Sequence, residues 1–162
     1  MQEQPLPVLQ EVAAKQRLFQ YRQNSERVLR EAALALAEGT GYLGIVTTHE
    51  GTVFHAGTQR ILDHPEFFNI NVTRAALNLL DNYDLLHDLF SRASDPQAVT
   101  VLIGREIGLA NLEVVGLVFA HYGQEQRGGV VAVLGPSRLN YSVVIPQVRY
   151  FSQLLTELSP SS

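Results

Sequence analysis

From Val99 to Leu155 the sequence runs through strand, hairpin and helix patterns, and the run Leu112 to Tyr122 limits the fold most. Val114, Val115, Leu117, Val118 and Phe119 leave neither face of an extended chain for water, so this strand belongs inside a sheet. Gly123 to Gly128 reads as its polar hairpin loop, and Gly129 to Leu134 as the returning strand. Ala98 to Ile103 is a shorter apolar strand ahead of it. The closing helix is expected over Ser142 to Leu158, with Val144, Ile145, Val148, Phe151, Leu154, Leu155 and Leu158 facing inward. Pro146 fits that helix only within its first turn, where an amide has no partner anyway. Two junctions stand out, Ile103-Gly104-Arg105-Glu106 and Gly135-Pro136-Ser137-Arg138-Leu139-Asn140-Tyr141. Each puts glycine at the exit of an apolar run and follows it with polar or charged residues.

Upstream, Leu6 to Glu38 is helical in pattern and stops at Gly39 and Gly41. Asn24-Ser25 can cap a second helix within it, whose stripe is Val28, Leu29, Ala32, Ala33, Leu36 and Ala37. The first part carries a narrower stripe, Val8, Val12 and Phe19, suited to a connector or to a helix awaiting a partner helix. Tyr42 to Thr48 and Thr52 to Ala56 form a hairpin around His49-Glu50-Gly51, ended by Gly57. Pro65 opens a short helical turn. Asn71 is expected to cap one helix reaching about Arg92, with Val72, Ala76, Leu79, Leu80, Tyr83, Leu86 and Phe90 on one face. The sum is an α+β fold with about five strands, mostly in antiparallel hairpins, covered by two or three helices and preceded by a long N-terminal helix. Helix-first order suits a GAF- or PAS-like sheet. The pattern divides the chain into a connector or dimerisation helix, 1–38, and a sheet domain, 39–158.

Composition removes several function classes. The 162 residues include no cysteine, which excludes thiolate metal sites and disulfides and suits a reducing cytoplasm. No apolar run reaches bilayer length, and the first residues lack the basic start and apolar core of a signal peptide. The net charge of -4 is localised: residues 41–98 carry three basic side chains against seven acidic ones. Lys15 is the single lysine and the arginines are scattered, a poor footprint for phosphate-backbone binding.

No catalytic constellation emerges. His49-Glu50 lacks the second histidine of a zinc-protease helix, since Val53 holds that position. His64-Pro65-Glu66 lacks the two cysteines that a zinc deaminase needs. There is no G-x-S-x-G, phosphate loop or dinucleotide fingerprint, and no metal or cofactor is expected. Glu106 and Arg138 each follow a strand by a few residues, so both can reach one edge of the sheet, as a loop-locking pair or as a ligand-binding pair. Tyr141 is expected to pack its ring beneath the Gly135-Pro136 turn and hydrogen-bond through its hydroxyl.

Taken in order, these segments resemble the regulatory half of the HrcA-type heat-inducible transcription repressors. The family's glycine-plus-PEF segment matches Gly57 to Phe67, its I-G-x-E matches Ile103, Gly104 and Glu106, and its G-P-x-R-M-x-Y matches Gly135, Pro136, Arg138 and Tyr141. Leu139 stands where methionine is usual and Asn140 where an acid is common. The entry at Gly39-Thr40-Gly41-Tyr42 is similar too, and the likeness covers about 28–158. It implies a GAF-like regulatory and dimerising domain, in a form without the family's dimerising insertion and without its winged helix-turn-helix. By that resemblance the protein works as a homodimer that represses chaperone operons at an inverted repeat. DNA contact belongs to the missing winged helix, and a GroEL-type chaperonin is a partner. With the insertion gone, Val8, Val12 and Phe19 become the candidate dimerisation residues. The alternative is a free-standing GAF-like small-molecule sensor or scaffold with no DNA role.

Overall fold

The computed structural model describes residues 3–124 and 128–159. Residues 125–127 of the expected hairpin loop lie outside the described residues. One antiparallel sheet organises the rest, built from β1 (Leu43–Thr47), β2 (Val53–Ala56), β3 (Thr100–Ile103), β4 (Val115–Tyr122) and β5 (Gly129–Pro136) in the order β2-β1-β5-β4-β3. β5 pairs with β1 on one side and β4 on the other, so it is the central strand and every residue of it is buried. β4 lies one place out. It begins at Val115 because the Val115 amide donates back to the Leu112 carbonyl in a turn, which keeps 112–114 out of the ladder.

The strand residues alternate between two cores, as a period of two requires. Val46, Val118, Ala120, Val131 and Val133 face α2 (Ser25–Thr40) and α6 (Tyr141–Leu158), where they meet Ala32, Leu36, Val144, Val148 and Phe151. Ile45, Leu117, Phe119, Ala132 and Leu134 face the opposite layer. That layer is the one-turn α3 (Thr58–Ile61), the 3-10 turn Pro65–Phe68, α4 (Ile70–Asp81) and α5 (Tyr83–Phe90), and it brings in Phe67, Leu79, Leu86, Leu89 and Phe90. Each fully buried leucine or phenylalanine contributes about 1.5–3 kcal/mol relative to exposure. This is the GAF-like α+β sheet expected from the sequence.

The N-terminal stretch is two helices, as the Asn24-Ser25 cap allows, and two later helices depart from expectation. α1 (Val8–Phe19) and α2 are parted at Gln20–Asn24, where the Asn24 side chain accepts from the Arg27 amide at 3.2 Å. α2 lies on the sheet, with Ala32 and Leu36 fully buried, so the division at residue 38 does not separate two cores. α1 rests on α2 and α6 and buries only Leu18. The helix expected over 71–92 breaks at Asn82, which takes φ -131° and ψ 85° and accepts from the Leu85 amide at 3.3 Å to start α5. Asn69, rather than Asn71, caps α4. Finally, Pro146 is the sixth residue of α6, beyond the first turn. Proline cannot donate to the carbonyl four residues back, and that carbonyl, of Ser142, accepts instead from the Gln4 amide at 2.8 Å. The N-terminal segment thus satisfies the orphan that the proline creates.

Candidate functional site: the motif end of the sheet

The sheet register gathers the glycine junctions at one end. β1 starts there at Leu43, opposite Leu134; β5 ends there; Val115 and Gly116 pair with Pro136 and Gly135; and Ile103 of β3 pairs with Gly116. Residues far apart in sequence therefore become neighbours.

Gly135 and its cross-strand partner Gly116 make a smooth patch that three side chains fill. A Cβ on Gly135 would lie 2.7 Å from both Leu139 Cδ2 and Tyr42 Cδ1, and one on Gly116 would lie 2.8 Å from the Tyr141 hydroxyl. The requirement at Gly135 is space: its backbone is an ordinary strand, and it is not among the positive-φ glycines. Tyr42 stacks on His64, with ring centroids 5.1 Å apart, and its hydroxyl accepts from the Asn140 amide at 3.2 Å. Tyr141 donates its hydroxyl to the Ser137 carbonyl at 2.5 Å, and burial pushes that hydroxyl's pKa up. The Ser137 amide donates to the Val114 carbonyl at 2.7 Å, tying the junction to the segment before β4. Tyr42 thus fills the space at Gly135, while Tyr141 covers its partner Gly116 and hydrogen-bonds through its hydroxyl.

Glu106 and Arg138 do not pair with each other. Arg138 grips Glu66 with both arms, Nε to Oε2 at 2.7 Å and Nη2 to Oε1 at 3.0 Å. These bonds hold the Glu66 carboxyl below its usual range and the guanidinium above its own. Glu66 belongs to the Pro65–Phe68 turn, anchored by the buried ring of Phe67. Glu106 turns back instead and accepts from the Ile103 amide at 2.8 Å, closing a single 3-10 turn over Gly104–Glu106. Three residues separate donor and acceptor, the spacing at which a carboxylate satisfies the start of its own turn. Gly104 begins this turn at φ +60°, in the left-handed region, with the Glu113 carbonyl 2.8 Å from where a Cβ would be. Arg92 completes the lock by donating to the carbonyls of Glu106 and Ile107 at 2.9 and 2.8 Å. The motif residues thus act as clamps on three loops, with Glu66 the partner that the sequence reading missed. Its one signal was its place inside the glycine-plus-PEF segment, next to the proline that opens a short helical turn.

The dimerisation candidates lie elsewhere. Val8 and its neighbour Leu9 are 71% and 84% exposed on α1, and Val12 and Phe19 are exposed as well. The Arg22 guanidinium covers the Phe19 ring at 4.2 Å. A solvent-open cleft of about 270 Å³ lies under α1, lined in part by Leu6, Gln10, Arg17, Gly39, Gln147 and Phe151. Between the sheet and α4–α5, Phe90 packs against Phe119 with ring centroids 5.0 Å apart, in the core that also buries Phe67.

Comparison with known proteins converges on one family. The family model described as "HrcA protein C terminal domain" matches residues 47–145. The Heat-inducible transcription repressor HrcA of Desulforudis audaxviator (strain MP104C) is 39% identical over 111 residues, covering 67% of this chain and 32% of that protein. The repressor of the same name from Anaeromyxobacter sp. (strain K) is 36% identical over 140 residues, covering 81% of this chain and 37% of that protein. The chain thus spans about a third of the length of these curated relatives. A crystal structure of a hypothetical protein at 2.2 Å resolution shares the fold, with a TM-score of 0.64 and 16% identity over 83% of this chain and 68% of that one. The ordered motifs, the sheet that gathers them and the match over most of that sheet lead to one conclusion: this chain belongs to the HrcA C-terminal domain family, that of the heat-inducible transcription repressors.

Proposed function

We propose that this chain is the regulatory and self-associating domain of a heat-inducible transcriptional repressor, acting in the cytoplasm on chaperone operons. The observation that carries this reading is the clamped end of the sheet, where Tyr42, Glu66, Glu106, Arg138 and Tyr141 hold three loops in one arrangement. A domain of this kind positions other parts of a repressor and does no covalent chemistry. Residues 39–158, with α2 as part of the core, form the regulatory unit, and α1 is its connector and self-association helix through Val8, Leu9, Val12 and Phe19. Operator contact belongs to a winged-helix segment outside this chain, because a net charge of -4 and one lysine oppose binding to phosphates. A GroEL-type chaperonin is the proposed partner in control. No helix among the described residues is long and apolar enough to cross a membrane.

A domain exchange tests this. Residues 28–158 replace the corresponding segment of the Desulforudis repressor, and the chimera is assayed for repression of a heat-inducible reporter. Retained repression supports the reading. A soluble, folded chimera that binds its operator but no longer represses refutes it. In a gel shift at moderate salt, this chain alone is expected to show no selective binding to an inverted-repeat operator.

A further inference from the structure

The face of α4 turned away from the sheet carries a stripe that is exposed at Ile70, Arg74 and Asp81 and half-buried at Leu77, which the core covers on one side. Ile70, Arg74, Leu77 and Asp81 follow one another at steps of four, three and four residues, which places them along one side of the helix. Val72, Ala76, Leu79 and Leu80 point the other way, into the core. Ile70 is 63% exposed, and Phe68, just ahead of the helix, is 71% exposed. Single exposed apolar residues are ordinary, but two large ones abutting a helical stripe form a patch. Arg74 and Asp81 bracket Leu77, and among the described residues neither makes an ion pair. The stripe, with Thr73 and Asn78, lines a shallow groove along the helix.

The order of the charges selects the occupant. Arg74 and Asp81 are two turns apart, about 10 Å along the axis. A twofold axis beside Leu77 and Asn78 lays a second α4 antiparallel on the first. Each Arg74 then meets Asp81 of the other copy, and Leu77 meets Leu77. A parallel partner would oppose like charges, and a partner of one sign would satisfy one residue and repel the other. The stripe is complementary to itself. We propose that α4 is a homotypic contact in which a second copy of this chain packs on Ile70 and Leu77 between two reciprocal Arg74–Asp81 pairs, with Phe68 extending the apolar edge.

The proposal rests on the reading of this chain as self-associating, but it does not depend on α1. The two helices lie on opposite sides of the sheet, α1 in the layer of α2 and α6, α4 in the layer of α5. Sedimentation of the full chain across a concentration series separates them, using wild type, Arg74→Glu, Asp81→Arg, the double swap R74E/D81R, and V8E/V12E. Each single reversal sets two like-charged pairs across the twofold and is expected to weaken association about tenfold or more. The double swap restores the wild-type mass. Single reversals that leave the mass unchanged overturn the proposal, as does a double swap that stays dissociated while its circular dichroism and melting remain those of the wild type. Loss of mass in V8E/V12E alone keeps self-association through α1 and refutes the α4 contact. A wild type monomeric at every concentration refutes both.

Discussion

Gly135→Ala places a methyl group where the structure has no room for one. The new Cβ would lie 2.7 Å from Leu139 Cδ2 on one side and Tyr42 Cδ1 on the other, against an ordinary carbon–carbon separation of about 3.5–4.0 Å. Tyr42 cannot swing aside without leaving His64 and the Asn140 amide, and Leu139 is itself buried. Overpacking of this kind costs about 1–3 kcal/mol. The advantage of alanine over glycine within a strand, about 0.5–1 kcal/mol, opposes it and is smaller. For a chain of this length each kcal/mol moves Tm by roughly 2–4 °C, so a net loss of about 1–2 kcal/mol corresponds to a fall of roughly 2–8 °C. Leu139→Ala alone should cost about 2–5 kcal/mol as a core truncation. In the double variant the methyl at 135 occupies part of the vacated space, and the total should fall short of the sum by about 0.5–2 kcal/mol. Urea and thermal unfolding of the four proteins, followed by circular dichroism, measure this. A Gly135→Ala protein as stable as the wild type, or strictly additive losses, would show that the Tyr42–Gly135–Leu139 wedge does not limit packing.

Pro146→Ala should stabilise α6 by about 1–2 kcal/mol, less than the roughly 3 kcal/mol proline penalty because the Gln4 amide already satisfies Ser142. Hydrogen exchange at Gln4 should quicken in that variant, and unchanged exchange would argue against the compensation. Asn82→Ala removes the α5 cap and should cost about 1 kcal/mol, while Asn82→Asp should not; equal melts for all three would refute the capping role. Glu66 has a lowered folded pKa, so its pair with Arg138 adds stability above the usual carboxylate range and loses it as pH falls through that lowered value. Comparing acid unfolding of wild type and Glu66→Gln checks this, and parallel acid limbs would contradict it. Burial also lowers the pKa of His121, whose Nδ1 has no partner among the described residues. Its contribution is present above the ordinary imidazole pKa of about 6.5 and lost as pH falls below it, so His121→Leu should flatten that part of the stability profile measured by urea titration.

The sequence determined what short-range pattern can carry. A run apolar on consecutive positions must be covered on both faces, and Leu117 and Val118 accordingly face different cores. Asn24 and Gly41 bound α2 through local backbone chemistry, so both ends of that helix were legible. The ordered motifs identified the family, since each occupies a junction whose residue types are tightly constrained. The break at Asn82 was hidden because the apolar stripe from Val72 to Phe90 continues through it, and a period of about 3.6 does not register one non-helical residue. Other features required chain segments to meet. Glu66 and Arg138 are 72 residues apart, and nothing local marks one as the other's partner, whereas Glu106 finds the Ile103 amide within a single turn. Gly135 showed only as a glycine at the exit of an apolar run, yet its role comes from the side chains that Tyr42 and Leu139 press against it. Pro146 looked misplaced until Gln4, at the far end of the chain, supplied the missing donor. Local propensity and periodicity are properties of neighbours in sequence, while pairing, wedging and compensation are properties of neighbours in space, and only the folded sheet decides who those are.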